Sequence, residues 1–294
     1  QHVYASAGDH TVVLAVTDDK GATGTARLTV HITNAAPEVS LTQPVTAVAV
    51  GTEVRLNASF TDPGGADVHT AVWTIGGTPV PAAVAESTGP AKNTAKSTAK
   101  STGKSTGKST GMVTGTVTGS HVFTKAGRYP ISVTVTDDKG ATGTDAIDGQ
   151  TAYVLVYDPA GSLVGAGQML SPAGACTLGG ECAKEGKATL EATARYRGKD
   201  TTPAGELRYD APGFDLRGGS HTVLAASGGT AILRGTGKVN KSVEVTYEIT
   251  AVDSGKPADG TDRLLVRVWK KNGELIYDNS ASPSPVSGVI RVSG

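Results

Sequence analysis

The chain has 294 residues, 27 basic and 27 acidic side chains, and 38% hydrophobic residues of which few are aromatic. That length holds two or three domains with cores of Val, Ala, Leu and Ile, and the absence of any run of 18 apolar residues excludes a helical membrane span. Lys92, Lys96, Lys100, Lys104 and Lys108 lie in one acid-free stretch, so the rest of the chain carries 22 basic side chains (27 minus 5) against 27 acidic ones, a balance that argues against nucleic acid as the main partner.

The first element is half of a repeat. HVYASAGDHTVVLAVTDDKGATGT from His2 and HVFTKAGRYPISVTVTDDKGATGT from His121 share an order of features: His, an aromatic, a Gly turn, an alternating strand and the acidic turn TDDKGATGT. A repeat of this kind means serial modules rather than one catalytic body. Residues 1–34 read as two strands, Thr11–Thr17 and Ala26–Thr33, joined at Asp18-Asp19-Lys20-Gly21. Two strands cannot bury a core alone, so this segment is expected to be the back half of a truncated module, with Gln1 starting inside a repeat.

After the linker Asn34-Ala35-Ala36-Pro37, residues 35–158 carry the signals of a complete module. An edge strand at 38–41 and 45–50 is broken by Pro44. Glu53–Phe60 puts Val54, Leu56, Ala58 and Phe60 on one face. Strands follow at Val68–Ile75, Val117–Phe123, Ile131–Thr136 and Thr151–Tyr157. Between them, residues 87–116 are read as an insert whose Lys/Ser/Thr/Gly repeats offer nothing apolar to bury, hence as a disordered loop. Its GKST sequences are not a phosphate-binding loop. Thr98 and Thr102 stand where the required Gly would be, and no strand-to-helix context surrounds them. Nucleotide is therefore not expected as a ligand.

From 159 to 294 the pattern stays β. Strands are predicted at Leu163–Met169, Lys187–Arg195, Glu206–Tyr209, Thr222–Ala226, Thr230–Arg234, Val243–Val252, Arg263–Trp269, Leu275–Asp278 and Val286–Val292. Cys176 and Cys182, with five residues between them, are the only cysteines. They suit a local disulfide in an oxidising compartment, with two free thiols as the alternative; too few other Cys or His lie nearby for a metal site.

The second repeat copy, the upstream FTDPGGADVHTAVW and the repeat itself together resemble the PKD (polycystic kidney disease) repeat family. The resemblance implies an immunoglobulin-like β-sandwich of secreted and cell-surface proteins, covering 35–158 and half a module at 1–34. On that reading Trp73 takes the place of the buried strand-C Trp, and Tyr129 that of a tyrosine corner, replaced by His10 in the first copy. The family's WxFGDG-like hallmark is absent, since Thr-Ile-Gly-Gly follows Trp73. Residues 153–167, 171–175, 233–240, 262–269 and 276–279 are similar to a β module that often follows PKD repeats in bacterial secreted proteins. The fold class expected is thus all-β: tandem immunoglobulin-like sandwiches plus a C-terminal sandwich-like domain.

In such a sandwich the loops holding Asp62 and Asp67 and those holding Asp137 and Asp138 emerge at one end. Four carboxylates there suit Ca²⁺; equally, Asp is a good turn former. The same two readings apply to Asp253, Asp259 and Asp262, which bracket a loop between strands. In strand 263–269, Arg267 and Trp269 share a face opposite Leu264, Val266 and Val268, either as an exposed binding surface or with Trp269 shielded. HExxH, GxSxG and GxGxxG are all missing. The expected function is a non-catalytic, extracellular or cell-surface region of a larger bacterial protein. It would act through monomeric modules as spacer, adhesion or protein-interaction segment, meeting protein or carbohydrate. The alternative is a substrate-binding accessory region of a secreted hydrolase.

Overall fold

The computed structural model describes residues 2, 4, 6–41, 47–88, 112–145, 152–198, 200–255 and 261–294. The protein is all-β, in several sheets. In chain order the strands begin with β1 (Gly8–Thr17), β2 (Thr23–Ile32), β3 (Glu38–Leu41), β4 (Ala47–Ala49), β5 (Glu53–Asp62), β6 (His69–Ile75) and β7 (Thr78–Pro81). Next come β8 (Ala83–Thr88), β9 (Val113–Val122), β10 (Gly127–Asp137), β11 (Thr142–Asp145), β12 (Ala152–Tyr157), β13 (Ser162–Ser171) and β14 (Gly186–Arg195). The last are β15 (Ala204–Ala211), β16 (Phe214–Ser227), β17 (Thr230–Val239), β18 (Val243–Val252), β19 (Arg263–Lys270), β20 (Leu275–Asp278) and β21 (Ser287–Ser293). The only helical element among the described residues is a short 3-10 turn at Gly180–Ala183, so no helix there is long and apolar enough to cross a membrane.

The chain divides into two compact units, one of residues 1–44, 54–121 and 130–153, the other of residues 45–53, 122–129 and 154–294. In the first unit, β1 and β2 form a two-stranded antiparallel sheet. The order β3-β5-β9-β8 makes one sheet, while β10 pairs β6 and β11, and β6 pairs β7. Alternation decides which side chains go inward. Along β5 each apolar residue is buried and each polar one exposed until the last turn, where Asp62 is buried too. Trp73 on β6 is fully buried and packs against β9, where a Cβ on Gly119 would lie 2.7 Å from the indole Cδ1. Only glycine leaves room for that ring.

The insert is shorter than its sequence suggests. Ser87, Thr88 and Val113–Thr116 belong to the β8–β9 ladder, which runs to Thr88↔Val113. Residues 89–111 of the insert lie outside the described residues, as do Pro44 and the rest of 42–46.

In the second unit β12 pairs β4 in parallel. The rest is one antiparallel sheet of nine strands, β20-β19-β18-β17-β16-β15-β14-β13-β21, a meander whose last strand returns beside its first. One core lies on its inner face, with Leu207, Leu216, Tyr247, Leu264, Val266 and Val268 among its members, which requires the sheet to curl round on itself. At the seam a single bridge, Arg263↔Pro285, joins the β19 and β21 ends. Side chains complete it: Asp262 Oδ2 accepts from Ile290 N at 3.0 Å and Asp253 Oδ2 from Val292 N at 3.1 Å. Cys176 and Cys182 are bonded to each other, Cα–Cα 5.5 Å, and both are buried beside the core.

Candidate functional site

Three of the four aspartates singled out in the sequence come together. Asp62 ends β5, Asp67 closes the turn before β6, and Asp137 ends β10; all three are buried. One carboxylate oxygen from each lies within 4.8 Å of the others. Asp138 is not in the group. Its half-exposed carboxylate pairs instead with the Lys139 ammonium at 2.6 Å.

Three buried negative charges repel one another and lose water, so each needs donors. Asp137 has the fullest set. Its Oδ1 accepts from Lys139 N at 2.8 Å and Ala141 N at 2.9 Å, and its Oδ2 from Asn34 Nδ2 at 2.7 Å. Burial alone would push this carboxyl up; the Asn34 amide, the two backbone N–H groups and His69 outweigh it, and Asp137 is held below the usual carboxylate range. Asp62 Oδ1 accepts from Gly64 N at 2.5 Å and its Oδ2 meets His69 Nε2 at 3.1 Å. The fully buried His69 ring also meets Glu86 through Nδ1 at 3.1 Å and packs on Phe60.

Asp67 is the poorest supplied. Its Oδ1 takes the Lys139 ammonium at 3.0 Å, while its Oδ2 is buried and has no hydrogen-bond partner. Lys139, bridging Asp138 and Asp67, is held above its ordinary pKa by those two carboxylates. Oxygen-only donors of this kind suit a hard cation. Its arrival would satisfy Asp67 Oδ2. Nothing in the sequence marked Asn34, His69 or Glu86 as members. The Lys was within reach, because it stands inside the repeated DDK.

The second acidic set has a different part. Asp253 and Asp262 are the seam acceptors described above, and Asp262 Oδ1 also accepts from Ser254 N and Oγ, both at 2.9 Å. Asp259 lies outside the described residues. Arg267 and Trp269 do share the outer face of the nine-stranded sheet, both half-buried. No protein-family model matches the chain, and comparison with curated proteins finds no relative.

Proposed function

We propose that this chain is a non-catalytic run of extracellular β modules from a larger bacterial secreted or surface protein, serving as spacer, adhesion or interaction region. In this reading residues 35–158 are an immunoglobulin-like sandwich of the PKD type, β1–β2 is the back half of a sister module, and a calcium ion at Asp62, Asp67 and Asp137 stiffens the rim. The observation that carries it is the buried oxygen of Asp67, left without a donor in a cluster that also holds Asn34 of the linker. An ion bound there ties the linker to the module rim and so limits bending between modules, which suits a spacer.

The test is calorimetry of the full chain in EDTA, in a few millimolar CaCl₂ and in MgCl₂. Extracellular calcium modules bind with Kd of about 10⁻⁴–10⁻³ M, so calcium should add on the order of 1 kcal/mol to the first unit. Equal melting temperatures in the three buffers, or a calcium shift that survives Asp62→Asn with Asp137→Asn, would remove the cation from this reading.

A second reading has its own observation. Trp269 lines a hollow on the outer face of the nine-stranded sheet together with the hydroxyl-bearing Thr222, Thr236 and Thr246, which suits an accessory region that holds substrate for an attached hydrolase.

A further inference from the structure

The apolar residues of β1 and β2 fall on one face. Val12, Leu14 and Val16 stand opposite Leu28, Ala26 and Gly24, and all six are exposed. A continuous apolar patch of this kind marks a contact surface. The second copy of the repeat shows what belongs on it. Shifted by 119 positions (His121 minus His2), Val12, Leu14 and Val16 become Ile131, Val133 and Val135, which are buried. There β6 runs antiparallel along β10, with Ile75 facing Ile131, Trp73 facing Val133 and Ala71 facing Val135. Among the described residues the sheet of β1 holds only β2, so the edge that β6 takes on β10 is open on β1.

Gly24 carries the comparison further. It lies inside β2 with its backbone outside the left-handed region, where other residues fit and where glycine weakens a strand. Among the described residues nothing lies within 4 Å of a Cβ built on it. Its counterpart Gly143 has no such room. A Cβ there would collide with the carbonyl oxygen of Pro37, lying 2.9 Å from that carbonyl carbon and 3.1 Å from Val39 Cγ2. The second copy thus uses its glycine to admit the chain entering β3, and the first copy has the same gap open. The turn adds charge complementarity. Lys139 pairs with Asp67, just ahead of β6, at 3.0 Å, and its counterpart Lys20 is exposed.

We infer that the apolar face and open edge of β1–β2 dock a front-half segment with the pattern of residues 36–76. Such a segment passes its Pro37–Val39 backbone over Gly24, adds a β6-like strand to β1 with its Trp in register with Leu14, and brings an Asp to Lys20. The inference rests on the reading of β1–β2 as the back half of a sister module, and names what that half recognises. The occupant is the front half of that sister module. A second copy of this chain cannot supply it without uncovering its own β10, because its residues 36–76 already hold β10 and β11.

The probe is a fluorescently labelled synthetic peptide of residues 36–76, added to the full chain. Anisotropy should rise to saturation, and amide hydrogen exchange should slow in β1 and β2, a readout that needs no variant. Leu14→Lys should weaken binding about tenfold or more, because docking would bury the ammonium. Gly24→Ala should do the same by collision with the incoming backbone, although in the free chain its methyl meets open space and makes the patch more apolar. A merely sticky face would respond to that methyl in the opposite direction. Both variants should melt as the wild type does. A peptide that fails to bind, that binds wild type and Gly24→Ala equally, or that slows exchange only outside β1 and β2 would overturn the inference. So would self-association of the full chain, seen by sedimentation, that Leu14→Lys abolishes while Gly24→Ala and excess peptide leave it intact; the face would then serve a second copy. The calcium shift of the first unit is measured without the peptide, so failure of docking and failure of the spacer reading are told apart.

Discussion

In β1–β2 and β10–β11 the repeated sequence makes the same contacts twice. Tyr129 Oη donates to the Lys125 carbonyl at 2.9 Å, and His10 Nε2, four residues after its partner in the same way, meets the Ser6 carbonyl at 2.9 Å. The aromatic that opens each copy packs on that ring with the same centroid distance, 4.6 Å for Tyr4–His10 and for Phe123–Tyr129. In the turns, Asp18 Oδ1 accepts from Lys20 N and Ala22 N, as Asp137 Oδ1 does from Lys139 N and Ala141 N. Surroundings differ. Ile131, Val133 and Val135 are at most 1% exposed, while their counterparts Val12, Leu14 and Val16 are 42%, 61% and 63% exposed. Local sequence therefore specifies the hairpin and its turn without help from a core; what it does not specify is whether the apolar face is covered. β10 pairs with β6 along its edge, and Val54, Leu56 and Phe60 of β5 in the same unit are buried as well.

The largest test of that contrast is a matched pair of truncations. Ile131→Ala should cost about 2–5 kcal/mol, as buried aliphatic deletions do, whereas Val12→Ala should stay within about 0.5 kcal/mol. Both are read from the first unit's calorimetric transition, and equal losses would break the comparison. Smaller is the pair Asp137→Asn and Asp18→Asn. Asp137 is buried and its donors include a side-chain amide, so its replacement should cost about 1–3 kcal/mol, against a few tenths for the exposed Asp18.

The sign of the pH effect follows from the same residue. Asp137 is held below 3.8 in the fold, so its contribution is present above 3.8 and is lost as pH falls through the lower folded value. The drop in melting temperature on acidification should be shallower in Asp137→Asn. A change of slope only in Asp18→Asn would reverse the assignment.

His221 sharpens the same point about cover. It is buried in the second unit with Nδ1 2.6 Å from Tyr247 Oη, and burial holds its imidazole below 6.5. The neutral ring is the one that folds, so this contribution is present above pH 6.5 and is lost as pH falls below it toward the folded value. Melts of the second unit between pH 7.5 and pH 5, a range chosen about the usual histidine value, should lose stability in the wild type and less in His221→Gln. Smallest of all, Leu14→Lys should change stability by about 0.5 kcal/mol or less, because that side chain already faces water.

Strands with strict alternation were legible. Val243–Val252 coincides with β18, and the inward set of β5 is the one the alternation predicts; Leu275–Asp278 coincides with β20 without alternating. Strands carrying glycines were cut short. β16 and β17 run through Gly218, Gly219, Gly235 and Gly237, residues that read locally as turns, and they continue because the Tyr247 ring fills the space beside Gly235. β7 and β8 were missed; β7 carries Pro79 and Pro81, which suit an edge strand, and it pairs with β6. Of the cluster, the acids were visible as loop residues of one rim. Asp138 fell out because its carboxylate is half-exposed, whereas the adjacent Asp137 is buried, a choice no spacing reveals.

Composition and period alone determined that this protein is all-β, that its hairpins repeat, and where most strands run, because period-2 burial is a local property of the backbone. Tertiary structure alone decided which copy is covered and which aspartates meet. It also decided that Asp253 and Asp262 close a seam, and that Trp269 stands beside three threonines and Arg234 from three other strands. Those facts depend on register between segments distant in sequence. A shift of one residue would turn every one of those side chains to the other face.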